Sequence, residues 1–145
     1  MPRRDANPDQ PAKAAAQDDI PAAELEVLAS LWRRGRGTVR EVREDIAAFR
    51  PMTHGAAMAL FRRLERKGLI ERTSEKVGKA HVYRPTRGPE PTYRRIMRET
   101  CRRVFGGSGV RMVASLLEST PPSPSEIEEL QRLLDDVRRR RQGEG

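Results

Sequence analysis

Hydrophobic residues recur every three or four positions in three consecutive segments after residue 20, which is the spacing of an amphipathic helix. Glycine or proline follows each segment and indicates where each helix ends. The predicted helices cover about residues 22–33, 39–48 and 54–67. Three short helices in quick succession indicate a small helical domain.

Hydroxyl side chains precede two of these helices. Thr38 stands before the second helix and Glu41 follows three positions later, which is the pattern of a capping box. In that motif the hydroxyl and the carboxylate each satisfy a backbone N–H that the helix leaves free. Thr53 is the expected N-cap of the third helix.

The third predicted helix has two contrasting faces. Its apolar face carries Ala57, Leu60, Phe61 and Leu64. Its opposite face, at about 100° per residue, carries Gly55, Ala59, Arg62 and Arg66. A short helix with an apolar stripe and an arginine-bearing back has the shape that fits a DNA major groove. The alternative is an ordinary solvated helix face.

Extended chain follows the third helix. Residues 69–74 and 80–85 flank a predicted turn at 75–79, where Gly78 can adopt the positive φ that a tight turn requires. The pattern therefore predicts a β-hairpin.

Three helices and a hairpin predict a winged helix-turn-helix domain over residues 20–85, in a chain that is mainly α. In that arrangement the third helix contacts base edges in the major groove. The hairpin tip, with Lys76 and Lys79, contacts phosphate.

A second helical region follows a Gly- and Pro-containing segment at residues 86–91, which predicts a linker. Three further apolar stripes predict three helices, and Ser123 with Glu126 forms a second capping box. Three short helices of about 50 residues are too small to bury such stripes alone. We therefore predict a helical dimerisation domain over 92–141. The alternative is that these helices fold back on the first domain.

The 145-residue chain has a net charge of +8, and most of the positive excess lies in the predicted winged helix. Residues 20–88 hold fifteen basic and eight acidic side chains. This balance favours a polyanionic partner, although an arginine-rich composition alone gives the same count. Residues 1–19 and 142–145 have no hydrophobic periodicity and are predicted to be disordered.

The sequence lacks the residues that several classes of function require. One cysteine and two histidines exclude an internal disulfide and a cysteine-cluster zinc site. The sequence has no phosphate-cradling glycine loop and no paired nucleophile and base, so neither an enzyme nor a cofactor is expected. No apolar run approaches the roughly 18 residues of a membrane span, and no apolar signal core begins the chain, which predicts a cytoplasmic protein.

Seven short motifs share their order and spacing with one family of regulators. They are AELEVL at 23–28, LW at 31–32, TVREV at 38–42, LxxRLxxKGL at 60–69, VYRP at 82–85, FGG at 105–107 and EIEEL at 126–130. On these motifs the chain resembles the penicillinase-repressor family, which includes repressors of β-lactamase, methicillin-resistance and copper-transport genes. The resemblance covers about residues 20–138.

The resemblance implies a homodimeric transcriptional repressor that binds a palindromic operator in double-stranded DNA, of its own or neighbouring genes. In the family, the region equivalent to 20–85 binds DNA and the region equivalent to 89–138 forms the dimer. Some members are inactivated when a membrane sensor metalloprotease triggers cleavage, which makes such a protease a candidate partner.

The chain departs from the family pattern at its third helix. Where the family has Ser-x-Lys-Thr, this chain has Thr53, His54, Gly55 and Ala56. The operator sequence therefore does not carry over, and base contacts are expected from other side chains such as Arg62. An arginine pairs with O6 and N7 of guanine.

Two further departures concern induction. Arg103-Val104 stands in the region where antibiotic-responsive members carry the Asn-Phe pair that is cleaved. The cysteine cluster of the copper-sensing members is absent. Neither known signal therefore carries over to this chain.

The predicted sites follow from the two regions. The expected DNA contacts are Thr38, Arg40, Thr53, His54, Gly55, Met58, Arg62, Arg63, Arg66, Lys76 and Lys79. The expected dimer contacts are Ile96, Cys101, Val104, Phe105, Val113, Leu116, Leu117, Ile127, Leu130, Leu134 and Val137. The expected partners are double-stranded operator DNA and a second copy of the chain.

Some of these residues have a structural alternative. Arg63 can brace Glu41 or Glu44 of the second helix instead of contacting DNA. His81 is interpreted as a packing residue on its strand. Cys101 lies in an apolar stripe and is interpreted as a small core residue rather than a redox sensor. For the whole chain, the alternative is a winged-helix protein-interaction module without specific DNA binding.

Overall fold

A computed structural model describes residues 20–144, and the predicted disordered tail at 1–19 lies outside this range. The described residues form six helices and one two-stranded antiparallel sheet. They are α1 (Ala22–Arg34), α2 (Val39–Ile46), α3 (His54–Arg66), β1 (Ile70–Val77), β2 (Ala80–Pro85), α4 (Glu90–Val104), α5 (Gly109–Ser119) and α6 (Pro124–Glu144). This order confirms the predicted mainly helical, winged helix-turn-helix architecture.

The core of the winged helix lies between α1, α2 and α3 and is closed by the hairpin. Its buried hydrophobic residues are Val27, Leu28, Leu31, Val39, Val42, Ile46, Ala57, Leu60, Phe61, Leu64, Leu69, Ile70 and Tyr83. The rings of Phe61 and Tyr83 pack edge-to-face, with centroids 4.9 Å apart. The predicted apolar face of α3 is thus entirely in the core, which leaves its opposite face to solvent.

The start of α2 is the predicted capping box. The backbone N–H of Glu41 donates to Thr38 Oγ1 at 3.1 Å, and the backbone N–H of Thr38 donates to Glu41 Oε1 at 2.9 Å. The helix ends at Ile46, before the predicted residue 48. The reason is a turn at 47–49, in which Arg50 N–H donates to Ile46 O at 2.8 Å.

A hydrogen-bonded ion pair clamps α2 to α1. Arg34 binds Asp45 through two hydrogen bonds, Nε to Oδ2 at 2.6 Å and Nη2 to Oδ1 at 3.1 Å. The fully buried Ser30 hydroxyl donates to Asp45 Oδ2 at 2.8 Å. The hydrogen bonds from Arg34 and then Ser30 hold the pKa of the Asp45 carboxyl below its usual range.

This clamp predicts a pH-dependent stability. Because the pKa of Asp45 is lower in the folded state, the stabilisation is complete above the ordinary aspartate pKa of about 4 and is lost as the pH falls through the lowered pKa. Asp45→Asn keeps an acceptor for Ser30 but loses the charge. We expect it to lower the free energy of unfolding by about 1 kcal/mol at pH 7, since the pair is partly exposed.

Urea unfolding at pH 7 and pH 3, followed by circular dichroism, measures this effect. The difference in the free energy of unfolding between wild type and Asp45→Asn should be smaller at pH 3 than at pH 7. Glu44→Gln is the control, because its ion pair with Arg40 is highly exposed and should contribute little at either pH. If Asp45→Asn lowered the free energy of unfolding by the same amount at pH 7 and pH 3, the stabilisation would not come from the charged Asp45 carboxyl.

The hairpin is longer than predicted. β1 continues to Val77, which pairs with Ala80, so the turn consists of Gly78 and Lys79 rather than residues 75–79. Gly78 has a φ of 63°, as the prediction required. The register shifts between Arg72 and Lys76, and this irregularity accommodates the additional length of β1.

The predicted linker at 86–91 is shorter than expected. α4 begins at Glu90. Thr86 donates its hydroxyl to Gly68 O at 2.7 Å and its backbone N–H to Leu69 O at 3.0 Å. The chain forms two compact units, and their boundary lies within α4, between Ile96 and Met97, rather than in this segment.

The second unit contains the rest of α4 together with α5 and α6. Gly106 and Gly107 follow the end of α4, and both have a positive φ that does not continue a right-handed helix. The second capping box forms as predicted: Ser123 N–H donates to Glu126 Oε1 at 2.9 Å, and Glu126 N–H donates to Ser123 Oγ at 3.2 Å. Hydrogen bonding to the Ser123 backbone, and then to its side chain, lowers the pKa of the Glu126 carboxyl.

α6 is the longest helix, with 21 residues. It continues to Glu144, so the predicted disordered end at 142–145 is helical except for Gly145, which lies outside the described residues. The arginines of its last turns favour this extension, because cations stabilise the negative end of a helix. None of the helices within residues 20–144 combines the length and the hydropathy that crossing a bilayer requires.

Candidate nucleic-acid interface

The exposed face of α3 carries three arginines. Arg62, Arg63 and Arg66 are all exposed. Within residues 20–144, none of their guanidinium groups forms an ion pair or a hydrogen bond. The burial of Leu60, Phe61 and Leu64 sets the rotation of α3. The three arginine side chains therefore project into solvent.

The N-terminus of α3 lies at the surface as well. Thr53 caps the helix by accepting a hydrogen bond from Ala56 N–H at 3.1 Å. His54 and Gly55 are exposed, and a Cβ built on Gly55 would have no atom within 4 Å. Packing therefore does not require glycine there. Met58 is half-buried and packs against the core, so only part of it faces outward.

Acidic side chains of the winged helix are already occupied by basic partners. All eight acidic residues between 20 and 88 lie within ion-pair distance of a lysine or arginine. The pairs are Glu24–Lys67, Glu26–Arg50, Glu41–Arg34, Asp45–Arg34, Glu44–Arg40, Glu65–Arg72, Glu71–Arg84 and Glu75–Arg36. The arginines on α3 thus have no carboxylate competing for them in this region.

The hairpin tip carries two further cations. Lys76 lies near the end of β1 and Lys79 in the turn, and both are exposed. Neither forms an ion pair within the described part of the chain. The adjacent Val77 is 62% exposed, so the tip projects into solvent. We define the cationic surface as Arg62, Arg63, Arg66, Lys76 and Lys79.

Two predicted DNA contacts are occupied within the fold. Thr38 is 3% exposed, and its hydroxyl is engaged in the capping box, so its side chain is covered in the single chain and its contact with DNA stays a prediction. Arg40 is exposed but lies 3.4 Å from Glu44, one helical turn away. Such an exposed pair is weak and can exchange for a phosphate.

The bracing alternative for Arg63 is wrong. Glu41 lies 3.7 Å from Arg34, and Glu44 pairs with Arg40. Arg63 itself remains exposed on α3. Its guanidinium is therefore available to a partner outside the chain.

Arg72 joins the hairpin to α3, a link that the sequence pattern did not reveal. Its Nε lies 3.2 Å from Glu65 Oε2, which links β1 to the last turns of α3. Its guanidinium carbon stands 5.9 Å from the centroid of the Tyr83 ring, and Nη1 lies 3.4 Å from His81 Nε2. His81 thus packs within the hairpin. No local sequence pattern links these residues, because they belong to different elements.

The sequence profile of the penicillinase repressor family matches residues 20–136, which is most of the chain. The chain belongs to the penicillinase repressor family. It is therefore a DNA-binding transcriptional repressor and not an enzyme. No curated protein matches the chain significantly.

Solved structures of other repressors are similar to this one. The solution structure of the DNA-binding domain of the repressor BlaI is 26% identical, covers 48% of this chain and 83% of that one, and has a TM-score of 0.42. A cysteine-to-serine mutant of MarR from E. coli is 20% identical over 89% of this chain and 86% of that one, with a TM-score of 0.49. The same mutant complexed with operator DNA is 22% identical over 86% of this chain and 84% of that one, with a TM-score of 0.47.

The three C-terminal helices of this repressor, α4, α5 and α6, leave the predicted dimer contacts largely uncovered. Six of them are exposed, with Val104 at 70% and Leu134 at 66%: Val104, Val113, Leu116, Ile127, Leu134 and Val137. The other five are half-buried: Ile96, Cys101, Phe105, Leu117 and Leu130. Residues 97–143 include no buried side chain. Cys101 is half-buried in the single chain, and its interpretation as a small core residue stays a prediction.

Proposed function

We propose that this repressor acts in the cytoplasm as a homodimer on a palindromic operator of its own or neighbouring genes. α3 lies in the major groove, and the hairpin tip contacts phosphate. The observation that carries this proposal is the cationic surface, whose five side chains are exposed and unpaired within residues 20–144. Every acidic residue of the surrounding domain is paired elsewhere.

The side chains on α3 divide by position into two groups. Arg62 and Arg63 stand in the C-terminal half of the helix, and an arginine side chain can donate to O6 and N7 of guanine. Thr53, His54 and Gly55 lie at the N-terminus, where the positive end of the helix favours a phosphate or a base edge. Gly55 lets the backbone approach the DNA closely, because it has no Cβ.

The uncovered second unit supports the homodimer. Its helices have amphipathic faces but no buried side chain between 97 and 143. Leu116, Leu117, Leu130 and Leu133 line one groove between α5 and α6. Exposed apolar surface of this extent marks an interface, and a second copy supplies an identical apolar face by two-fold symmetry.

A salt titration of binding to duplex DNA tests the proposal. The duplex is the region upstream of the protein's own gene, and a scrambled duplex of equal length is the control. Each phosphate neutralised contributes about −0.9 to the slope of log affinity against log salt. Ten cations in a dimer give a slope of at most about −9, and about −5 if four of them contact bases instead.

Preference for the upstream duplex together with this steep slope is the expected result. A flat salt dependence with no preference between the two duplexes would contradict the proposal. That outcome would favour the alternative, in which the winged helix docks on another protein.

A further inference from the structure

Trp32 holds the start of α4 against the winged helix. Its indole Nε1–H donates to the backbone oxygen of Arg87 at 2.8 Å. Its ring packs edge-to-face on Tyr93, with centroids 5.5 Å apart and an interplanar angle of 82°. The two contacts lie on either side of the point where α4 begins, and both end on the same side chain of α1.

The surrounding packing strengthens this attachment. Trp32 packs against the core of the winged helix, and it lines a cavity of only about 30 Å³ together with Leu28, Leu69 and Pro91. Thr86 is fixed by its two hydrogen bonds to the turn after α3. The segment between the hairpin and α4 is therefore attached through Thr86 and Arg87, and the first turn of α4 is attached through Tyr93.

An attached segment has a different consequence from a flexible one. A Gly- and Pro-rich linker without contacts lets the domains that it joins take many orientations. Here the first turn of α4 is attached to α1, and α4 continues as one helix from Glu90 to Val104. Motion of the winged helix about the start of α4 must break the Trp32 contacts.

We propose that Trp32 and Tyr93 are positioning residues that restrict which half-site spacings the repressor accepts. This inference rests on the proposed homodimer. In a dimer with attached winged helices, the two copies of α3 meet the major groove only at one separation along the duplex. With the attachment broken, the winged helices reorient and tolerate other separations.

The test uses Tyr93→Ala, with Tyr93→Phe as the matched control that keeps the ring. Tyr93 is 40% exposed, so its truncation should leave the fold intact. Trp32 is the only tryptophan in the chain, so its fluorescence emission reports directly on the contact. We expect the emission to shift to longer wavelength in Tyr93→Ala and to stay unchanged in Tyr93→Phe.

Affinity is then measured on operator duplexes whose central spacer is lengthened by 0, 1, 2 and 5 bp. Wild type and Tyr93→Phe should discriminate sharply between the native and the altered spacers. In Tyr93→Ala, the ratio of the affinity for the native spacer to the affinity for an altered spacer should fall by about tenfold or more. This is the size expected for losing one ring contact in each protomer.

An unchanged ratio between native and altered spacers in Tyr93→Ala would overturn the inference, whether or not affinity itself falls. An equal fall on all spacers would mean that Tyr93 has a purely structural role. Failure of the proposed homodimer gives a different outcome, since wild type would then show no dependence on the spacer at all.

Discussion

Replacing Arg63 with alanine should lower operator affinity about five- to 150-fold while the oligomeric state stays the same. The guanidinium is exposed on α3 and has no partner within residues 20–144, so its removal costs the fold little. A side chain that donates to guanine contributes about 1–3 kcal/mol to binding. Fluorescence anisotropy with a labelled upstream duplex measures the loss.

Arg33→Ala is the matched control for this variant. Arg33 is also exposed and forms no ion pair within the described residues, but it lies in the last turn of α1 rather than on α3. Its removal changes the net charge by the same amount. Equal losses in the two variants would show that Arg63 contributes only general charge, and no loss in Arg63→Ala would remove it from the interface.

Ile127→Asp and Leu134→Asp should each raise the dimer dissociation constant by roughly a hundredfold or more. Both side chains lie on the apolar face of α6 and are exposed in the single chain, at 45% and 66%. Their replacement therefore leaves the fold of one copy intact. In a dimer each variant buries two unpaired carboxylates, which costs about 3 kcal/mol or more.

Leu130 is a less suitable position for this test, although it belongs to the same face. It is half-buried and lines the groove between α5 and α6, so a charge there also disturbs the unit itself. Ser115→Asp is the control, because it places the same charge on an exposed polar position of α5. Sedimentation equilibrium gives the dissociation constants. If the variants at Ile127 and Leu134 had the same dimer dissociation constant as Ser115→Asp, the interface would lie elsewhere.

The sequence predicted the elements of the winged helix because their signals are local. The capping box at Thr38 and the cap at Thr53 set where α2 and α3 begin, and both caps form as predicted. The four apolar residues of α3 set its rotation, which placed the arginines correctly on the outer face. These features depend on residues at most four positions apart.

The errors arose where contacts between distant residues decided the outcome. The segment at 86–91 has the composition of a linker, but Trp32, more than fifty residues earlier, binds it. The hairpin turn was placed too early because the pairing of Val77 with Ala80 depends on a shifted register that composition does not reveal. The sequence did not show that the side chain of Thr38, a predicted DNA contact, is buried in the core as well as engaged in the cap.

The cationic surface was predicted only in part. Composition showed an excess of positive charge over residues 20–88, but it did not show which cations were unpaired. Arg34 and Arg36 bind Asp45 and Glu75, which lie on other elements, and these pairs have no sequence signature. The tertiary structure therefore concentrates the unpaired charge on α3 and the hairpin tip.

Dimethyl sulfate protection on the upstream duplex shows whether α3 of each copy occupies the major groove, because this reagent methylates guanine N7 there. We expect two protected groups of guanines, related by two-fold symmetry and separated by one or more helical turns of about 10 bp. Protection should weaken at both groups in Arg63→Ala. A single protected group, or binding without any protection at guanine N7, would contradict a dimer that places two copies of α3 in the major groove.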